Sequence, residues 1–516
     1  MKTIRIYLTA LLSLLGLASC HDFLTENTGD LDYVRTIADI DELLVGDGYL
    51  TTAAESPVMG LVSSQKVGSW INCMDDDIEV YRSKSALVFS AWEWHYRFSK
   101  DPFIGCSDKS QLSAMQEYED NTWTTLYKQI SVVNLILEQL DTRFAANPEY
   151  NRLKGESLLL RGQAYFYLVN CYAKPYTPST ATADPGVPVK LTAPIEDKDY
   201  VREPVERVYT QIVDDLTEAA ELLKGIENKS IYRAGATAAH ALLSRVYLYM
   251  QRWDDAIAEA DIVLKDPRYA LYDLVGAGTL SADNPAIWGG SPEVIFTQGP
   301  LYYNGVAQSF YVIPTDLYAP LFPDTDARKG IFNAWPSTNY GSGPTGGYKL
   351  DYKYASSEGL GIVSNCLSVR LPEIYLNKAE ALAHRAGSND EADAASLVAA
   401  LRAKRIKAGG QIDVPERGTA LIDAIRNERR KELYQEGHRW FDLKRYAVQT
   451  KHPLRTSISH KAWQLDDANI YEGEFILPAY DPANPGNWLL PIPRREIELN
   501  HGAIADNDRV NITPTK

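Results

Sequence analysis

Apolar residues recur at helical spacing over long stretches of this chain. From Trp123 to Leu140, the residues Trp123, Leu126, Tyr127, Ile130, Val133, Leu137 and Leu140 form one stripe with Asn134, which predicts an amphipathic helix. Asn147-Pro148 reads as a cap followed by a proline in the first turn, opening a second helix that runs to about Tyr172. Pro204 opens a third. Its buried face carries Val205, Val208, Tyr209, Ile212, Leu216, Ala219, Ala220 and Leu223, and Gly225 ends it. In Ala238–Pro267, the residues Leu243, Ser244, Tyr247, Trp253, Ala256, Ala260 and Pro267 fall at the spacing of a tetratricopeptide repeat. The pairs over 368–407 and 419–446 read as divergent copies. Such hairpins stack because none buries its apolar face alone. The predicted fold is therefore mainly α: a tetratricopeptide-type helical-repeat scaffold over about 120–268 and 368–446.

The pattern breaks over 50–119, 175–202, 269–365 and 452–516, stretches rich in Gly, Pro, Asn, Asp and Trp. Loops this long inside a folded protein are usually functional. They are too aromatic for disorder, so an irregular, loop-rich lobe laid on the scaffold is expected, chiefly over about 269–365.

One segment carries an unusual density of charge. Asn427–Tyr446 interleaves six basic and four acidic residues with Leu433, Tyr434, Trp440, Phe441 and Leu443, at helical spacing on either side of Gly437. Charge alone suits a solvated face, but the aromatic residues argue for burial with the charges paired, since an unpaired buried charge costs several kcal/mol.

The amino terminus reads as a secretory signal over 1–19. Lys2 and Arg5 precede an apolar run from Ile6 to Leu17 that is too short to span a bilayer. Leu17-Ala18-Ser19-Cys20 has the small residues before a cysteine that lipoprotein processing requires, so Cys20 is the expected lipidation site. Several acyl chains on it would give a lasting anchor, because each buried methylene adds about 0.8 kcal/mol.

With 45% hydrophobic residues, the chain can bury a large core. At 68 acidic to 52 basic residues and a formal charge of −16, it is a poor partner for nucleic acid. Cys73, Cys106, Cys171 and Cys366 are far apart without CxxC spacing, which argues against a metal site and leaves any disulfide pairing open.

The charged segment, Glu428-Arg429-Arg430-Lys431-Glu432-Leu433-Tyr434-Gln435-Glu436-Gly437-His438-Arg439-Trp440-Phe441-Asp442, resembles the C-terminal hallmark of the SusD/RagB family of surface nutrient-binding lipoproteins. Other landmarks agree, in order along the chain. They are Cys20-His21-Asp22-Phe23-Leu24, Trp123 to Asn134, Arg161 to Val169, Phe322 to Arg328, Val369 to Ala381, and Leu490 to Ile497 with Asn500. Ala399 and Ala400 depart from the pattern, standing where an Asn is expected before Arg402. The resemblance implies a SusD-like domain over 20–516, with an N-terminal part over about 20–225 and a C-terminal part over about 226–516. It also implies an outer-membrane, cell-surface position and a SusC-like TonB-dependent barrel transporter as partner. Most matched positions, among them Arg370, Glu373, Glu380, Arg439 and Asp442, are expected to tie helices together.

No enzyme constellation stands out: HExxH, GxSxG, Walker and dinucleotide motifs are all missing. No cofactor is implied. Asp75-Asp76-Asp77 with Glu79 is the densest acidic cluster. Val80 stands where a calcium loop needs glycine, so a solvated turn is expected there.

A sugar-binding surface instead needs flat aromatic rings on loops, with polar groups at the edge to read hydroxyls. Tyrosine is abundant, 32 against 12 Phe. Trp123, Trp253 and Trp440 sit at helix-packing positions, and Trp92, Trp94 and Tyr96 alternate as on a strand; core packing is expected of both sets. That leaves Tyr81, Trp288 beside Gly289-Gly290, Tyr302, Tyr303, Trp335 and Tyr340 as the candidate ligand platform. The function expected is capture of a glycan or oligosaccharide without catalysis. The alternative is a tetratricopeptide-type protein-interaction scaffold or a peptide-binding lipoprotein.

Overall fold

The computed structural model describes residues 34–50, 71–72, 74–80, 121–228, 230–298, 311–335, 347–355, 358–463, 471–508, 512 and 515. Cys20, Cys73, Tyr81, Trp92, Trp94, Tyr96, Cys106, Tyr302, Tyr303 and Tyr340 lie outside them. Residues 1–42 and 43–516 cluster as two units. In the first, Asp39 accepts the backbone N–H groups of Arg35 and Thr36 as the short helix α1, Ile37–Leu43, begins.

The second unit is built on the predicted helices. Asn121–Arg143 is α2, and its stripe of Trp123, Leu126, Ile130, Val133, Leu137 and Leu140 is buried. Tyr150–Tyr172 is α3. It begins two residues after Pro148, because the Asn147 side chain accepts the Glu149 N–H in a turn ahead of the helix. Val205–Leu222 is α4, opened by Pro204 and followed by Gly225 at φ +75°, a left-handed turn that glycine adopts without strain. Ala236–Tyr249 and Trp253–Leu264 form α5 and α6. After the short α7, Thr315–Leu321, come α8 (Leu371–Arg385), α9 (Asp390–Ala403), α10 (Gly418–Glu432), α11 (Arg439–Tyr446) and α12 (Arg494–Leu499). From α2 to α6 each helix packs on the next in sequence; α8 then packs on α6, α9 and α10.

The approach of α3 to α4 is set by two small residues. A Cβ on Gly155 would stand 2.6 Å from Leu223 Cγ, and one on Gly162 would stand 3.0 Å from Leu216 Cγ. Between them, Arg161 donates twice to Asp215, at 2.9 and 2.6 Å, and once to Asn134 at 2.9 Å. One guanidinium thus joins α2, α3 and α4.

Trp123 and Trp440 are core, as their spacing predicts. Trp253 is not. It opens α6 half-exposed and stacks on His384, with ring centres 4.7 Å apart and planes 11° apart. The first residue of a helix has neighbours on one side only. Cys171 and Cys366 are buried, and burial pushes the Cys366 thiol up to about 11. A thiol reagent should therefore modify both only after unfolding, which peptide mass mapping would read; rapid labelling of the native protein would contradict it.

The stretches read as irregular contain strands. β1 (Glu79–Val80), β3 (Tyr311–Pro314), β5 (Gly347–Leu350) and β4 (Phe332–Trp335) form one antiparallel sheet in that order. β2 (Val294–Thr297) pairs with β6 (Ser368–Arg370), and β7 (Ile458–Trp463) pairs with β8 (Tyr471–Leu477). Most of these strands run four residues or fewer. Several find partners far away in sequence, as Glu79 does opposite Val312, so no local alternation announces them.

Candidate functional site

The loop-rich lobe is fastened to the scaffold by buried ion pairs centred on the charged segment. α10 ends at Glu432, and Gly437 (φ +76°) turns the chain into α11. A Cβ there would meet Cys366 Cα at 3.3 Å. Glu432 accepts from Arg405 at 2.9 and 3.0 Å, from Arg328 at 3.1 Å and from Arg370 at 3.4 Å. Glu428 receives Arg328 and Arg402, each at 2.6 Å, while Glu436 pairs with Arg370 and Lys353. Arg370 and Arg405 both reach Glu293, at 3.0 and 2.6 Å. Behind them, Arg429 and Arg445 share Asp442, each at 2.8 Å; Arg445 also grips Glu380, and Arg245 grips Glu373. Every one of these carboxylates is buried. Burial would raise the Glu428 carboxyl, but Arg328, Lys431 and Arg402 override it and hold it down to about 2. Glu373, Glu380 and Asp442 tie helices together as expected, while Arg370 ties β6 to the end of α10 and Arg439 ties α11 to the turn at Asp76.

The acidic triplet corrects the sequence reading. Asp75 and Asp77 are buried, and no solvated turn exists. Arg439 donates to both oxygens of Asp76, at 2.7 and 2.8 Å, and Arg430 reaches Asp77, 353 residues away along the chain. Oxygens of the three carboxylates lie within 4.8 Å of one another. Asp76 and Asp77 serve as counter-charges for the two arginines, while burial and its two acidic neighbours push Asp75 well above the usual carboxylate range. A contact over that sequence distance leaves no local trace, which is why the triplet looked like surface.

On this footing stands Trp288, the candidate platform residue whose side chain the structure describes. It follows Ile287, which bridges Tyr354, and it is half-buried. Gly289 N–H donates to Gly361 O at 2.8 Å, and a Cβ on Gly289 would lie 2.9 Å from Gly361 Cα, so the two backbones cross at a distance only glycine allows. At Gly290 a Cβ would stand 3.0 Å from the indole Nε1. The glycine thus spares the N–H edge of the ring a contact there. Tyr272 braces the indole edge-on, with centres 5.0 Å apart at 78°. Tyr272 is in turn pinned by the ion-pair network: its N–H donates to Glu293 at 2.9 Å and its carbonyl accepts from Arg405 at 2.7 Å. Sequence reasoning missed Tyr272, since its only signal was being one more tyrosine at the edge of the Gly/Pro-rich stretch.

The remaining candidates relate to the four-stranded sheet by chain position. Tyr81 follows β1, Tyr302 and Tyr303 precede β3, Trp335 ends β4, and Tyr340 belongs to the β4–β5 connection; the Trp335 side chain lies outside the described residues. Val80 pairs with Tyr311, the first residue of β3, whereas Trp335 pairs with Gly347, which pairs with Pro314, the last. Val80 and Trp335 therefore lie level with opposite ends of β3, about 10 Å apart along it. The sheet rests on Tyr318, which stacks on Tyr348 at 3.5 Å, and on Phe332, which packs against Tyr434 at the end of α10.

Two family models match this chain. One, described as starch-binding associating with outer membrane, covers residues 63–248; the other, the SusD family, covers 326–508. Among solved structures, a SusD superfamily protein from Bacteroides thetaiotaomicron is similar at TM-score 0.66 and 22% identity, covering 92% of this chain and 100% of its own. A putative sugar binding protein from Bacteroides vulgatus is similar at 0.64 and 24%, covering 92% and 98%. A laminarin binding SusD-like protein is similar at 0.54 and 23%, covering 86% and 94%. A comparison with curated proteins finds no match.

Proposed function

Because the chain belongs to the SusD/RagB family, we propose that it is an outer-membrane lipoprotein, anchored through Cys20 at the cell surface, that captures an oligosaccharide. It then delivers the ligand to a SusC-like TonB-dependent barrel transporter, acting as a lid over it. The observation that carries the binding step is Trp288: a half-buried indole beside Gly290, braced by Tyr272, whose backbone is held by the buried ion-pair network. A pyranose ring has an apolar C–H face that lies flat on such a ring, and a pre-positioned aromatic loses little entropy on binding. Support for a sugar ligand comes from the starch-binding description of the N-terminal family match and from a structural neighbour described as laminarin binding. Tyr81, Tyr302, Tyr303, Trp335 and Tyr340 complete the proposed platform.

Binding should be weak, at micromolar to millimolar Kd or about −4 to −8 kcal/mol. Affinity electrophoresis against a polysaccharide panel, followed by calorimetry, tests it. Trp288→Ala should lower affinity about tenfold or more, the size of one well-placed aromatic contact, and Trp335→Ala should weaken it as well. A glycan that binds the wild type and is held equally well by both variants would remove the platform assignment. The peptide-binding alternative draws on an open groove of about 530 Å³ between α6, α8 and α9, floored by Ile257 and Leu382. It would show as peptide affinity with no glycan retained.

A further inference from the structure

The ion pairs that fasten the loop-rich lobe to the scaffold do not balance. Followed from partner to partner, they join six cations, Arg328, Lys353, Arg370, Arg402, Arg405 and Lys431, to five carboxylates, those of Glu293, Asp326, Glu428, Glu432 and Glu436. One positive charge is left over. All of these groups except Arg402 are buried, and even the Arg402 side chain is only 13% exposed. A charge that water cannot reach is costly unless something offsets it.

A cavity of about 20 Å³ lies among these side chains. Five of the six cations line it, all but Arg402, together with only two of the carboxylates, Glu293 and Glu432. The oxygens of those two are already engaged: Glu293 accepts from Tyr272, Arg370 and Arg405, and Glu432 from Arg328, Arg370 and Arg405.

Donors remain unspent at its wall. A guanidinium carries five N–H groups and an ammonium three. Arg328 gives Nε and one Nη2–H to Asp326, one Nη1–H to Glu432 and the other Nη2–H to Glu428, which leaves one Nη1–H among the described residues. Lys431 meets Asp326 at 3.3 Å and Glu428 at 3.4 Å, which leaves one N–H of its ammonium. The surplus charge is felt nearby. Against the pull of burial, Arg405 and Arg370 hold the Glu432 carboxyl well below the usual range, while burial, with Arg370 beside it, pushes the Lys353 ammonium down despite Glu436.

We infer that this cavity binds a single halide ion, chloride in a physiological medium, which takes the spare N–H groups of Arg328 and Lys431 and supplies the missing negative charge. A space of this size holds one water-sized particle, so a polyatomic anion such as sulfate does not fit. Tyr272 and Ile287 line the same cavity, and the ion therefore locks the support of Trp288 to the scaffold from within. This site is independent of what the protein captures.

The test measures urea midpoints of the full chain as chloride replaces gluconate at constant ionic strength, so that screening is unchanged. Once chloride exceeds its dissociation constant, the folded-to-unfolded ratio should grow about tenfold for each tenfold rise in chloride. Lys431→Gln removes the surplus charge and one spare donor, and should abolish that response. Lys404→Gln, at an exposed pair with Asp273, should keep it. Crystals grown with bromide in place of chloride should show an anomalous peak in the cavity beside Arg328 and Lys431. Midpoints indifferent to chloride, an equal response in Lys431→Gln, or density for water alone would each overturn the inference. So would a bromide peak without a chloride response, which marks an adventitious ion only.

Discussion

Glu432→Ala should lower the stability of the folded chain by about 3–5 kcal/mol, the penalty for stripping one partner from a buried ion-pair network. Glu432 accepts from three guanidinium groups, those of Arg328, Arg370 and Arg405, and it is almost wholly buried. Removing it leaves one fewer negative charge among cations that water cannot reach. Neighbouring Glu428, Glu436 and Glu293 cannot stretch to replace it, because each is already engaged. Urea unfolding followed by tryptophan fluorescence reads the change as a lower midpoint at an unchanged slope. Arg405→Ala should act in the same direction and should also loosen Tyr272, whose carbonyl it holds. A Glu432→Ala protein as stable as wild type would mean the network contributes little.

Acid should draw on two sets of buried groups whose folded pKa values are lowered, in two stages. Burial holds His384 and His460 down to about 4 from an ordinary 6.5. Unfolded histidines take up protons below 6.5 while these two do not, so stability falls as pH drops from there through 4. Glu428 is held down to about 2 by its guanidinium and ammonium neighbours against the pull of burial, and Asp76 to about 2 by Arg439 and Arg430 in the same way. Their contribution is fully present above the ordinary carboxylate range and is lost as pH falls through 2. At about 1.4 kcal/mol per pKa unit, Glu428 alone is worth about 3 kcal/mol at neutral pH. Asp75 opposes this trend: pushed up by burial and by Asp77 and Asp76, it gains a proton in the native state first and relieves crowding there. Glu79, raised to about 7 by burial, opposes it across the same window. The histidine contribution is therefore read by difference: urea midpoints of the wild type should fall further between about pH 7 and about pH 4 than those of His384→Gln and His460→Gln, and equal falls would refute the buried neutral histidines.

The longer helices, α2 to α6 and α8 to α11, and their order were legible in residue spacing, whereas α1, α7 and α12, of seven residues or fewer, were not. The stripe from Trp123 to Leu140 needed only a period of 3.6, and Pro204 with Gly225 bounded α4 through their own backbone preferences. These are local properties, set within one or two turns of chain. The charged segment was half legible: its aromatic residues implied burial, but the partners of its arginines did not follow. Trp288 was singled out as a candidate for its place beside two glycines, though the reason for Gly289, a backbone crossing with Gly361, appears only in three dimensions.

Spacing and side-chain chemistry within short windows therefore determined the helical architecture. Folding decided everything that depends on two distant residues meeting. It buried Asp76 and Asp77 against Arg439 and Arg430, joined short strands whose registers no window contains, and set Tyr272 behind Trp288. A helix satisfies its hydrogen bonds within itself and so writes its period into adjacent residues. A salt bridge or strand pair spanning hundreds of residues is satisfied by whatever the fold delivers, and leaves no mark on the chain on either side of it.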